Sequence, residues 1–143
     1  MNGKRLVNLS TFSTEMGVEF YLQDDGSVLG SATLQKGHEG PPFHVHGGVL
    51  ASLLDEAMGA AAWASGKRVV AVNLNFNFRK PVPLGMPLRI EGRVDRVERR
   101  KNFTVGQLLL PDGAVAVEGT GIFVEAPHIF ENMSNPFAHV PEE

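Results

Sequence analysis

The chain predicts an α+β domain in which one antiparallel sheet curls around one long helix, and three observations carry that expectation. A proline-free run from Val49 to Ala64, rich in Ala, Leu, Met and Glu, is the stretch suited to a long helix. On either side of it lie runs that alternate apolar and polar residues with a period of two, joined in places by Asp-Gly turns. A single helix of roughly 16 residues cannot bury its apolar surface in water alone, so the sheet must wrap it.

Residues 1–16 are mixed in character and predict at most a short helix. Val18–Leu22 and Ser27–Leu34 flank Gln23-Asp24-Asp25-Gly26, which predicts a hairpin. The stretch from Gln35 to Pro42 is rich in glycine and proline and should be a loop that delivers the chain to a helix start near Gly47. Ser65-Gly66-Lys67 supplies the stop. Val70 to Phe78 then alternates, with Val70, Val72, Leu74, Phe76 and Phe78 on one face and Ala71, Asn73, Asn75 and Asn77 on the other. Three prolines between Arg79 and Pro87 end that strand. Leu88–Val97, Asn102–Leu110 and Ala114–Glu125 predict three more strands, the last two joined at Pro111-Asp112-Gly113. The folded core is expected at about 17–125, within a single domain over 1–143, with 126–143 as a tail.

Composition narrows the function classes. At 143 residues the chain can bury a core without cross-links, and without cysteine it has no disulfide, thiol nucleophile or cysteine-held metal. A net charge of −3 argues against nucleic acid as a partner, and charged residues punctuate every apolar run, so no membrane association is expected. These features predict a soluble, cytoplasmic protein.

The chemistry gathers at His46-Gly47-Gly48 and the helix it opens. A helix start with little side-chain bulk leaves unpaired N–H groups and the positive end of the macrodipole open to a ligand oxygen. Val49, Leu53, Glu56 or Ala57 and Ala60 share one ridge of the helix, and Gly48, Ser52, Asp55, Gly59 and Ala62 share another. Asp55 therefore sits among small residues, where a substrate can come close. Burial without a nearby cation would raise its pKa. Glu56, on the more apolar ridge, is the competing acid.

His46-Gly47-Gly48 with Asp55, then Asn73-Leu74-Asn75-Phe76 leading to Arg79-Lys80-Pro81-Val82-Pro83-Leu84-Gly85, resembles the hotdog-fold acyl-CoA thioesterases of the 4HBT superfamily. The branch concerned is the one typified by the phenylacetate-pathway (PaaI-like) thioesterases and their human THEM relatives, and the likeness runs from about Gly40 to Glu125. It implies a helix wrapped by a sheet, subunits paired edge to edge, a homodimer or homotetramer, and active sites at the dimer interface. It also implies hydrolysis of acyl-CoA to free acid and CoA, with the Gly47 N–H polarising the thioester carbonyl and His46 orienting the Gly-Gly turn. Asp55 would act either as nucleophile or as general base. Coenzyme A is then part of the substrate, and no separate cofactor is expected.

Relatives often place Asn or His six residues before the His-Gly-Gly histidine, and Ser or Thr two residues before the Asn-x-Asn strand; here Gly40 and Ala71 stand there. Asn73, Asn75 and His44 are the candidates to take their place at the substrate, and Gly48 is a further candidate substrate contact beside Gly47. Arg79, Lys80, Arg99 and Arg100 are the candidates for the phosphates of CoA, within a basic stretch that also holds Arg96 and Lys101. Phe43, Leu50, Leu54, Trp63, Phe76 and Phe78 are divided between core and acyl pocket. His38, Glu39, His44 and His46 are residue types that bind metals, but water-dependent thioester hydrolysis by a carboxylate needs none, and no metal is expected. The alternative function is a non-catalytic acyl-CoA-binding or regulatory hotdog domain. A hotdog dehydratase or hydratase fits less well, for want of an Asp/His dyad.

Overall fold

The structure, a computed structural model, describes residues 3–6 and 10–130. Its elements follow the order β1 (Lys4–Leu6), α1 (Thr11–Glu15), β2 (Glu19–Leu22), β3 (Val28–Thr33), α2 (Gly47–Ala64), β4 (Val69–Phe78), β5 (Pro87–Glu98), β6 (Lys101–Leu109) and β7 (Val115–Glu125). The sheet is antiparallel, with strand order β1-β2-β3-β5-β6-β7-β4. This is the hotdog arrangement, one long helix against one curved sheet. A short 3-10 turn occupies Pro127–Ile129, and the part of the expected tail at 131–143 lies outside the described residues.

Helix α2 begins and ends where its residues dictate. His46 caps its start, the ring Nδ1 accepting the Gly48 N–H at 2.9 Å. At the other end Gly66, at φ +94°, donates its N–H to the Trp63 carbonyl. Leu50, Leu53, Leu54, Ala57, Met58, Ala60, Ala61 and Ala62 are buried, a stripe broad enough to be covered by several strands at once.

The sheet approaches this stripe across a row of paired glycines. Gly92 on β5 faces Gly106 on β6, which faces Gly119 on β7, and Phe76 of β4 completes the row. A Cβ at Gly92 would lie 2.7 Å from the backbone of Ala57, and one at Gly106 would lie 3.2 Å from Leu54 and Met58. Only hydrogen at these positions lets the helix settle this close.

Two expectations change. Residues 1–16 do hold a short helix, but β1 precedes it; three residues are too few to show a period. The alternation of β4 is interrupted by a bulge at Val72, between the pairs Ala71–Phe123 and Asn73–Ile122. Val72 is thereby 59% exposed instead of facing the core with Leu74 and Phe76. Strand β4 is also the outer strand of the sheet, ten residues without proline or charge.

Candidate active site at the start of the central helix

The first turn of α2 leaves the N–H groups of His46, Gly47, Gly48 and Val49 without a helical carbonyl four residues back, and Leu50 is the first to have one. Gly48 donates to the His46 ring, and Val49 and Leu50 donate to the His46 carbonyl at 3.0 and 3.2 Å. The Gly47 N–H has no partner among the described residues, at the positive end of an 18-residue helix. The expected role of His46 in ordering the Gly-Gly turn has a concrete form here. Its Nδ1 takes up the competing Gly48 donor and leaves Gly47 free. Gly48 is thus a structural donor to His46, and its N–H is not available to substrate.

Gly40 accounts for the position of His46. A Cβ on Gly40 would lie 2.7 Å from the His46 Cα, so a side chain at this point would force the backbone to shift. His46 also donates its backbone N–H to the His38 carbonyl at 2.8 Å.

Asp55 lies eight residues along α2 from Gly47, on the same i, i+4 row, so the two are about 12 Å apart along the axis. That row faces β4 and β7. A Cβ on Gly47 would sit 3.6 Å from the Phe78 ring, and one on Gly59 would sit 3.3 Å from Phe123. Asp55 is half-buried, and no described residue hydrogen-bonds to its carboxylate. Burial, and after it the charge of Glu56, raise its pKa above the ordinary carboxylate value.

Glu56 points elsewhere and is fully engaged. The hydroxyls of Ser10 and Ser13 donate to its two carboxylate oxygens at 2.8 and 3.0 Å, Ser13 being the buried residue of α1. The partners of Glu56 are two serines more than 40 residues away in sequence. A Ser-x-x-Ser pair at the cap of a short helix was the available signal, since Ser10 also accepts the Ser13 N–H.

The remaining candidates separate. Asn73 and Asn75 lie on the face of β4 opposite Leu74 and Phe76, turned away from α2, and the Asn75 amide donates to Asn73 at 2.6 Å. Asn75 lines a furrow of about 540 Å³ on that outer sheet face, together with Glu91, Gln107, Glu118 and Thr120. Neither Asp55 nor Gly47 borders it. The two asparagines therefore do not share a surface with the helix start of their own chain. His44 lies in the loop before α2, its Nδ1 2.9 Å from the Pro42 carbonyl oxygen.

The cations do not form one cluster either. Arg79 is ion-paired with Glu118 just beyond the Phe78 end of β4, and Lys80 is exposed beside it. Arg99 and Arg100 occupy the β5–β6 turn, where the Arg100 carbonyl accepts the Glu125 N–H and Glu125 pairs with Val69. They thus lie at the opposite end of β4, about 30 Å away along nine strand steps. The chain brings these residues close in number, but β5 carries it the full length of the sheet between them. Arg96 stacks on Phe103 at 3.8 Å and pairs with Glu98, so it is already engaged.

Of the apolar candidates, Leu50 and Leu54 are core, while Trp63 and Phe76 are half-buried against it. Phe78 and Phe43 are 55% and 78% exposed. Phe43 also holds φ at +69°, a left-handed backbone that favours glycine. Among the described residues no three His, Asp or Glu side chains converge to hold a metal, and no helix is long and apolar enough to cross a membrane.

Comparison with known proteins agrees with this architecture. The acyl-coenzyme A thioesterase THEM4 of Xenopus laevis is 35% identical over 88 residues, which cover 61% of this chain and 40% of that protein. The Bos taurus THEM4 is 30% identical over 118 residues, 80% of this chain and 48% of that one, so the chain spans less than half the length of either. A solved thioesterase superfamily protein is 41% identical with a TM-score of 0.72, over 75% of this chain and 55% of its own. The PaaI protein from the phenylacetic acid degradation operon of E. coli shares the fold, with a TM-score of 0.75 at 19% identity, over 82% and 85% of the two chains. The family model for the thioesterase superfamily matches residues 44–116, which hold the capped helix, Asp55, β4, β5, β6 and the first residues of β7, and the chain belongs to that superfamily.

Proposed function

We propose that this chain hydrolyses acyl-CoA thioesters, with Asp55 as the catalytic carboxylate and the Gly47 N–H as the donor to the carbonyl oxygen. The observation that supports this best is the unpartnered Gly47 N–H in a helix turn whose other donors are occupied. Negative charge builds on the thioester oxygen as the carbonyl carbon becomes tetrahedral, and a fixed donor at a helix start stabilises it. Asp55 either attacks that carbon to give an anhydride, which water then opens, or takes a proton from the attacking water. In both cases the C–S bond breaks, CoA leaves as the thiol and the acyl group leaves as the acid.

The spacing of these groups bears on assembly. A donor and a carboxylate about 12 Å apart on one straight helix cannot both reach a single carbonyl. The productive pair is Gly47 of one copy with Asp55 of a second, joined along the open edge of β4 in a homodimer. Binding of acyl-CoA is consistent with the THEM4 relatives, which are named acyl-coenzyme A thioesterases.

Release of free thiol from a panel of acyl-CoA esters tests the activity, and Asp55→Ala tests the assignment. The variant should bind CoA esters while losing turnover by about 10³-fold or more. Unchanged hydrolysis by Asp55→Ala would remove Asp55 from the mechanism. Binding without hydrolysis in the parent protein would favour the non-catalytic acyl-CoA-binding domain.

A further inference from the structure

A water that attacks a carbonyl carbon needs two partners, since one held by a single group is free to turn. Asp55 supplies one, and its neighbours on α2 narrow the choice of the second. Ala51, Ser52, Met58 and Gly59 lie three or four positions from it and so adjoin it on the helix surface. Of these only Ser52 carries a side-chain oxygen or nitrogen. The facing strands present apolar side chains here: Leu74 and Phe76 of β4 and Phe123 of β7 turn toward the helix, while Asn73 and Asn75 turn away.

The hydrogen bonding of Ser52 fixes what it can offer. Its hydroxyl donates to the Gly48 carbonyl at 2.8 Å, and a hydroxyl has one proton to give and two lone pairs. Ser52 is left with acceptor capacity alone, and an ionised Asp55 is likewise an acceptor. Two acceptors three positions apart on a helix have Cβ atoms about 5–6 Å from each other, a span that the two hydrogens of one water can bridge. Both residues are half-buried, so solvent reaches them. Glu56, four positions beyond Ser52, does not compete for that water, because Ser10 and Ser13 occupy its two oxygens.

We propose that Ser52 is a further catalytic residue of the thioester hydrolysis proposed above, on which this inference rests: its Oγ accepts one hydrogen of the attacking water while Asp55 accepts the other. The lone pair of the water then points away from both groups and toward the thioester carbon. Its oxygen forms the new bond to that carbon as one proton passes to Asp55. The C–S bond breaks, the sulfur takes that proton as CoA leaves, and the second proton departs with the acid. Direct attack by Asp55 has no use for a second acceptor, so Ser52 assigns the carboxylate the part of general base.

The test compares the parent with Ser52→Val and Ser52→Thr on a CoA ester that the parent hydrolyses. Valine and threonine share a shape, and only threonine keeps a hydroxyl able to bond the carbonyl four residues back. Ser52→Val should lower kcat about 10- to 100-fold while KM stays within about twofold, and Ser52→Thr should recover most of the loss. Thermal melting of the matched pair separates this effect from a damaged fold; where valine melts early, Ser52→Ala takes its place. A second measurement needs no variant: single turnovers of the parent in water enriched in heavy oxygen should label the released acid and leave the peptide that holds Asp55 unlabelled. Label in Asp55 marks an anhydride and overturns the proposal, as does Ser52→Val with the kcat of the parent or Ser52→Thr as slow as Ser52→Val. A parent that hydrolyses no CoA ester overturns the activity itself, whereas an active parent with an equally active Ser52→Val overturns the role of Ser52 alone.

Discussion

Asp55 and Glu56 are neighbours in the chain and on one helix, yet the two flanks of α2 treat them differently. On the flank covered by α1, Glu56 has a serine hydroxyl on each oxygen. On the flank facing β4 and β7, Asp55 is half-buried and no described residue bonds to it. A protein interior normally satisfies such a group, and leaving it unsatisfied costs stability. The contrast separates two roles on one helix: Glu56 holds the N-terminal segment to α2 through its serines, whereas Asp55 is left without a protein partner, as the carboxylate of the proposed mechanism requires.

The largest effect should come from removing the charge on the reactive flank. Asp55→Asn keeps the shape of the side chain and should lower kcat by about 10³-fold or more. It should also raise the thermal midpoint at neutral pH, which is the reverse of an ordinary loss of contacts. The sign follows from the raised pKa: the folded state holds the proton more tightly than the unfolded chain, so stability falls as pH rises from the ordinary carboxylate pKa through the raised one. Parent and variant melting curves should diverge across that range and run parallel above it. A variant that loses both activity and stability would mean that Asp55 is a structural residue. The acid limb of kcat/KM in the parent should likewise fall above the ordinary carboxylate range.

Glu56 should behave in the opposite way. Glu56→Ala leaves Ser10 and Ser13 without their acceptor and should destabilise the fold by about 2–3 kcal/mol in urea titrations. Because its charge is the second cause of the raised Asp55 pKa, the acid limb should also move to lower pH. An abolished turnover with an intact fold would instead make Glu56 the catalytic acid. Ser13→Ala tests the same flank most gently. It should cost about 1–2 kcal/mol while the pH profile keeps its shape.

Much of this architecture is legible in local chemistry. The His-Gly-Gly start and Gly66 stop of α2, the Asp-Gly hairpin between β2 and β3 and the proline end of β4 each follow from residues within a few positions. The parts that escape depend on partners distant in sequence. The bulge at Val72 is a matter of register with β7, and it leaves Asn73 and Asn75 on the outer face, where their spacing with Leu74 and Phe76 gives no hint of which side carries the helix. Within one chain Arg79 and Lys80 stand apart from Arg99 and Arg100, because nearness in number hid a strand that traverses the whole sheet. The serine partners of Glu56 escaped because a hydroxyl pair in a weakly patterned segment names no acceptor.

The glycine row beneath α2 also limits how the molecule can be engineered. With Gly92, Gly106 and Gly119 in line, helix and sheet are separated by less than the width of one methyl group at Ala57, and there is no slack to widen a cavity from the sheet side. Space beside the helix is therefore more readily opened on the β4 flank, at Leu74, Phe76 and Phe78, where partly exposed side chains can be shortened without unseating the helix.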